Sequence, residues 1–166
     1  MACMAVEGAA DLMVSDVEMN VDGPSYTADT FDRLESRGLD LGAACFIIGA
    51  DAFRDITSWR AYPAVLDRCH FAVVSRPGVA APSLRLALPT LASRMVDVPT
   101  TSANVGFTFP AQASILLVDA RTSPVSSTDV RSRLANAESI QGMAPDNVAD
   151  HIARHALYTA PSSEAR

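Results

Sequence analysis

Three short apolar runs constrain this chain most: residues 43–48 (Ala-Ala-Cys-Phe-Ile-Ile), 71–75 (Phe-Ala-Val-Val-Ser) and 115–119 (Ile-Leu-Leu-Val-Asp). Runs of this length without polar alternation read as strands buried on both faces, which means parallel pairing under covering helices. Each run leads into a polar signature. The first meets Gly49-Ala50-Asp51, the second Arg76-Pro77-Gly78, and the third, after a short connection, Val125-Ser126-Ser127-Thr128-Asp129-Val130-Arg131. An open parallel sheet binds its ligands in the crevice beyond the C-terminal ends of its strands. The three signatures are therefore expected to converge there.

The last signature carries the most chemistry. It reads as a hydroxyl-rich turn entering a helix. The first N–H groups of a helix lack partners, and its dipole favours an anion. Ser126, Ser127 and Thr128 add donors, and Arg131 stands one turn in as a fork-shaped cation. Arg133 is two residues from Arg131 and cannot share its face. A polyphosphate is the ligand such a turn would hold.

The 166 residues are enough for one domain with a sizeable core, and 49% hydrophobic against 19% charged residues excludes a disordered chain. A net charge of −6 argues against general nucleic-acid binding, while leaving room for a small polyanion held by local arginines. All the basic residues are arginine. Cys3, Cys45 and Cys69 form no Cys-x-x-Cys pair, which points to buried thiols in a reducing cytoplasm. Glu7 and Asp11 interrupt any leader-like apolar start. Residues 98–118 are uncharged, but Pro99, Pro110, Asn104 and Gln112 rule out a membrane span.

Around these anchors the pattern predicts the end of a helix over 1–10, a strand over 12–19, and a turn at Asp22-Gly23-Pro24. A helix follows from a Ser25 cap to Arg37, with Phe31 and Leu34 facing inward and Gly38 ending it. Short helices are expected over 51–55 and 62–68, a helix over 83–91, a strand over 94–98, a loop over 102–113 and a final amphipathic helix over 145–155. The fold expected is a single α/β domain over residues 1–160, an open Rossmann-like parallel sheet, with a frayed tail at 161–166.

Four motifs in this order resemble the nicotinate-nucleotide adenylyltransferase family. They are Gly23-Pro24-Ser25-Tyr26-Thr27-Ala28-Asp29-Thr30; Phe46-Ile47-Ile48-Gly49-Ala50-Asp51 followed by Trp59; His70 to Gly78; and Val125 to Arg131, with a closing segment from His151 to Tyr158. Each alone is weak, and together they are specific. The match is poorest over 79–113. The resemblance implies adenylyl transfer from ATP to nicotinate mononucleotide, in the cytoplasm, with Mg²⁺ accompanying ATP. Partners would be these small molecules, not nucleic acid or membrane, and a homo-oligomer is compatible. It implies that Thr27 and the backbone around Trp59 and Arg60 hold the nicotinate carboxylate, with the Trp59 ring stacked on the pyridine. Gly49 would admit the nucleotide, Asp51 would accept from ribose hydroxyls, and Arg76, Ser126, Ser127, Thr128 and Arg131 would complete the ATP site.

One departure stands out. Members of the family begin with a strand and a Gly-x-Phe-Asp-Pro-x-His-x-Gly-His loop, and nothing in this sequence matches it. The expectation is an N-terminally incomplete nucleotidyltransferase domain, short by roughly 40–60 residues at usual element lengths. No catalytic residue of that loop is present, so little activity is expected. Each lost α-phosphate donor would cost about 10²–10³-fold by analogy with oxyanion sites. Two other readings are a sibling enzyme with another phosphate acceptor, such as phosphopantetheine or nicotinamide mononucleotide, and a non-catalytic nucleotide-binding remnant. His151 and His155 have a spacing that can hold zinc, but no third ligand is evident and they read as a helix end.

Overall fold

The computed structural model describes residues 1–99 and 108–159. Its centre is a four-stranded, all-parallel sheet of β1 (Cys45–Gly49), β2 (His70–Val74), β3 (Met95–Val98) and β4 (Ile115–Val118), in the order β1-β2-β4-β3. Phe46 pairs with Phe71, and Phe71 with Ile115, so the three apolar runs lie side by side in register. This is the Rossmann-like α/β arrangement the runs predict.

Helix α2 (Thr27–Ser36) packs on the sheet through Phe31. The Phe31 ring meets Phe46 edge-on at 5.6 Å between centroids, and Phe46 meets Phe71 at 5.6 Å. Phe53, from the one-turn helix α3 (Ala50–Phe53), lies 5.9 Å from Phe71. Such pairs are worth about 0.5–1.5 kcal/mol each beyond the area they bury. They hold the N-terminus of α2 at a set height over β1. Gly38, at φ 90°, ends the helix in the left-handed region that glycine occupies without steric cost.

The chain divides into two compact units, residues 16–123 and residues 1–15 with 124–159. The second contains α1 (Ala2–Ala5), α5 (Ser127–Ala135) and α6 (Asp146–Arg154). Its core is Ile140, Val148 and Ile152, with Met4, Val130 and Leu134 against them. The Asn147 side chain donates to the Met4 carbonyl at 2.6 Å and joins α6 to α1.

Several sequence expectations need correction. Residues 12–19 form no strand, since their alternation has no ladder partner among the described residues; Leu12, Met13 and Met19 are exposed. The strand predicted over 43–48 forms at Cys45–Gly49, but it is an edge of the sheet and is not fully buried: Ile47 is 74% exposed. Ser25 does not cap α2. Its hydroxyl donates to the Glu18 carboxylate, and Tyr26 occupies the cap position without a side-chain bond. The helix expected over 83–91 breaks into a 3-10 turn that contains Pro82, α4 (Leu84–Ala87) and a second 3-10 stretch that Pro89 opens. The helix expected over 62–68 is a 3-10 turn at Ala64–Asp67. Of the thiols, Cys69 is buried and its pKa pushed up to about 11 by that burial; Cys45 is half-buried and Cys3 exposed. The loop expected over 102–113 lies partly, and the 161–166 tail wholly, outside the described residues.

Candidate functional site

The sheet unit carries a cavity of about 300 Å³ lined by Ser25, Tyr26, Thr27, Ser58, Trp59 and Arg60. One wall is the entry to α2. The first intrahelical bond there is Thr30 N to the Tyr26 carbonyl at 3.0 Å, and no side chain caps the preceding N–H groups. Those donors, with the Thr27 hydroxyl on the lining, favour an anion.

The other wall is the segment after a 3-10 turn at Ile56–Ser58. Ile56 is fully buried and anchors it. Trp59 sets its ring edge-on against Phe46 at 6.5 Å, so the aromatic cluster that seats α2 also seats the indole. Ala61 follows with φ 63°, a left-handed conformation costing roughly 1 kcal/mol for a residue with a Cβ. It turns the chain away immediately after Arg60. The Arg60 guanidinium donates to the Asp29 carboxylate at 2.8 Å and lies 5.1 Å from the Tyr26 ring centroid. The structure thus brings Thr27, Trp59 and Arg60 into one cavity from segments about thirty residues apart. Glu18 braces the first wall by accepting from Ser25 and Thr30, and these bonds hold its carboxyl below the usual glutamate range.

A second group forms at the strand ends. A Cβ built on Gly49 would come within 2.4 Å of the Asp51 carboxylate and 3.0 Å of Arg76 Cγ. Only glycine lets both side chains close over the backbone there. Arg76 is held by a tight turn, in which Arg76 N and Val79 O bond at 3.0 Å and Val79 N and Arg76 O at 2.9 Å, with Gly78 at φ 84° between them. Gly49, Asp51 and Arg76 therefore stand together at the C-terminal ends of β1 and β2.

Sequence reasoning placed Arg76 here but missed Arg121 and the role of Ser75. Arg76 and Arg121 both line a cavity of about 290 Å³ with Ser75, Pro77, Ala120 and Thr122. Ser75 is buried; its hydroxyl donates to Asp119 at 2.7 Å and accepts from Ala81 N at 2.9 Å, tying the end of β2 to the end of β4. The signal for Arg121 was available. Like Arg76, it is an arginine within three residues of an apolar strand's end.

In the other unit, α5 begins as the sequence predicts. Ser126 caps it, accepting from Asp129 N at 3.0 Å and donating to the Asp129 carboxylate at 2.8 Å. Arg131 folds back one turn and donates to the Ser127 carbonyl at 2.9 Å and to its hydroxyl at 3.0 Å. Arg133 instead approaches Glu138 at 3.5 Å. The His151 and His155 rings are 4.4 Å apart, and no group of three or more His, Cys, Asp or Glu side chains suited to a metal occurs among the described residues.

A four-stranded parallel sheet with an arginine-lined cavity at its strand ends defines a Rossmann-like α/β domain. The family model described as cytidylyltransferase-like matches residues 9–133. Over 162 residues the chain is 32% identical to a probable nicotinate-nucleotide adenylyltransferase of Pseudomonas syringae pv. tomato, covering 96% of this chain and 69% of that protein. Similar relatives with the same description come from Desulfatibacillum aliphaticivorans (34%, 95% of this chain, 73% of the relative) and Roseiflexus sp. (34%, 87% and 63%). The chain belongs to the cytidylyltransferase-like family and, within it, to the nicotinate-nucleotide adenylyltransferases. No helix among the described residues is long and apolar enough to cross a membrane.

Proposed function

We propose that this chain serves adenylyl transfer from ATP to nicotinate mononucleotide, giving nicotinate adenine dinucleotide and pyrophosphate in cytoplasmic NAD biosynthesis. The observation that carries the reading is the convergence of Thr27, Trp59 and Arg60 on one cavity beside an uncapped helix N-terminus. A flat indole suits a cationic pyridinium ring, and free N–H donors suit its carboxylate.

The reaction itself forms one bond and breaks one. The phosphate oxygen of the mononucleotide attacks the α-phosphorus of ATP, and pyrophosphate leaves. Such chemistry rests on positioning and electrostatics. In this reading Asp51 accepts from ribose hydroxyls beside Gly49, Arg76 offers a cation at the strand ends, and Ser126, Ser127, Thr128 and Arg131 supply phosphate donors. Mg²⁺ would accompany the ATP phosphates, which suits an ion that keeps most of its water. The three histidines are His70, His151 and His155, and none lies in a His-x-Gly-His segment. His70 is buried and its Nδ1 accepts from Ser114 N at 3.2 Å.

Trp59 is the only tryptophan, so its fluorescence reports the cavity directly. Titration with nicotinate mononucleotide should quench it saturably, and nicotinamide mononucleotide should bind more weakly. Equal or no quenching by the two would overturn the reading.

A further inference from the structure

The cavity has an electrostatic peculiarity. Of its six lining residues only Arg60 is charged. Its partner Asp29 lies in the first turn of α2, where a carboxylate is favourable for the helix. The same placement puts a negative charge beside the donors that would receive a ligand carboxylate, and two such charges repel. Arg60 answers this in two ways. One terminal nitrogen neutralises Asp29 at 2.8 Å, and the Tyr26 ring supports the guanidinium at 5.1 Å. A guanidinium has five N–H donors in a planar fork, so the Asp29 bond leaves others to address a second carboxylate. The Arg60 side chain is 56% exposed against 27% for Asp29, so the arginine is the more accessible member of the pair.

We infer that the Asp29–Arg60 pair sets this cavity's preference for a carboxylate over a carboxamide on the pyridine ring. Arg60 is the specificity-determining cation, and Asp29 is the positioning residue that holds it on the face of Tyr26. The inference rests on the proposed nicotinate site. It goes beyond that site in giving the Arg60 side chain, rather than the backbone alone, a role in choosing the ligand. The pair joins residues 31 apart in sequence and ties the two cavity walls together, beside the contact of Arg60 with the Tyr26 ring.

The test is a double-mutant cycle read by Trp59 quenching with nicotinate and nicotinamide mononucleotide. Arg60→Ala should weaken nicotinate binding about tenfold, the scale of one charge-assisted hydrogen bond, while changing nicotinamide binding less than about twofold. Asp29→Asn added to Arg60→Ala should recover roughly threefold of the nicotinate loss, because the uncovered carboxylate is gone. Arg60→Lys keeps the charge and should keep most of the preference. If Arg60→Ala fails to fold, Arg60→Gln preserves stem length and hydrogen bonding without charge and is read the same way. Equal weakening of both ligands, or no recovery from Asp29→Asn, would overturn the inference and leave the pair a structural tie. The reversed pair, Asp29→Arg with Arg60→Asp, separates these outcomes, since a mere tie would be restored for both ligands and a selective cation would not. Failure of the unaltered chain to prefer nicotinate mononucleotide is a different result, which overturns the proposed function itself.

Discussion

Two helix N-termini carry the candidate binding residues, and they are built differently. In the sheet unit, α2 starts at an uncapped Tyr26 and is positioned from below by a deep core in which Phe53, Ile56, Phe71 and Val73 are fully buried. In the other unit, α5 starts at Ser126, which caps it, and the core nearby is three residues still 4–9% exposed. One site is held by its foundation and leaves its donors free. The other is held by its own hydroxyls, which already occupy the Asp129 N–H. Under the proposed function, the cavity that would discriminate one ring substituent from another benefits from the first arrangement. The turn that would hold a flexible polyphosphate tolerates the second.

The cores supply the most forceful test of this contrast. Phe71→Ala should destabilise the sheet unit by about 3–5 kcal/mol, whereas Ile152→Ala should cost about 2 kcal/mol in the terminal unit. Trp59 lies in the sheet unit, so its fluorescence during denaturant unfolding follows that unit, while far-UV circular dichroism also follows α5 and α6. The expected result is a large shift of the fluorescence midpoint for Phe71→Ala and a shift confined to the dichroism for Ile152→Ala. A matching fluorescence shift for Ile152→Ala would make the two cores one cooperative system and break the contrast.

A second prediction sharpens it. Ser126→Ala removes a genuine cap and should cost about 1 kcal/mol of α5 stability. The corresponding change at the start of α2, Ser25→Ala, removes no cap bond and should leave α2 helicity unaltered. Hydrogen exchange at Thr128 to Val130 and at Thr27 to Thr30 reads both ends separately. Faster exchange at both ends alike would mean that the two N-termini are held in the same way.

What could be read from the sequence follows the same division. The buried parallel strands were legible because continuous apolar runs such as 115–118 have few other uses, and the α5 entry because Ser-Ser-Thr is local chemistry. The segment 12–19 misled because alternation signals a strand only when a partner strand exists. Ile47 misled because burial depends on whether a neighbour lies beyond the edge, which the run itself does not encode. Ser25 looked like a cap by position, but Glu18, seven residues earlier, takes its hydroxyl. Thr27, Trp59 and Arg60 came from resemblance to a family. The Asp29–Arg60 bond was invisible, because nothing in residue 29 announces a partner at 60.

The smallest effect concerns Glu18, the brace behind Ser25 at the cavity wall. Hydrogen bonds from Ser25, then Thr30, lower its pKa in the folded chain. A carboxyl with a depressed folded pKa adds stability that is fully present above its unfolded value, about 4.3, and is lost as pH falls through the folded value. Glu18 is almost wholly solvated, so screening keeps the contribution small. Asp16 is lowered in the same direction by its bond from Arg37 and titrates in the same range, so acid unfolding of the unaltered chain does not isolate Glu18. Comparing Glu18→Gln with the unaltered chain does. The difference in Trp59 unfolding midpoint should be present at neutral pH and close towards zero as pH falls below the ordinary carboxylate range. A difference that stays constant with pH would mean that Glu18 braces the wall through shape rather than charge. The α2 entry would then be held, like α5, by local geometry alone.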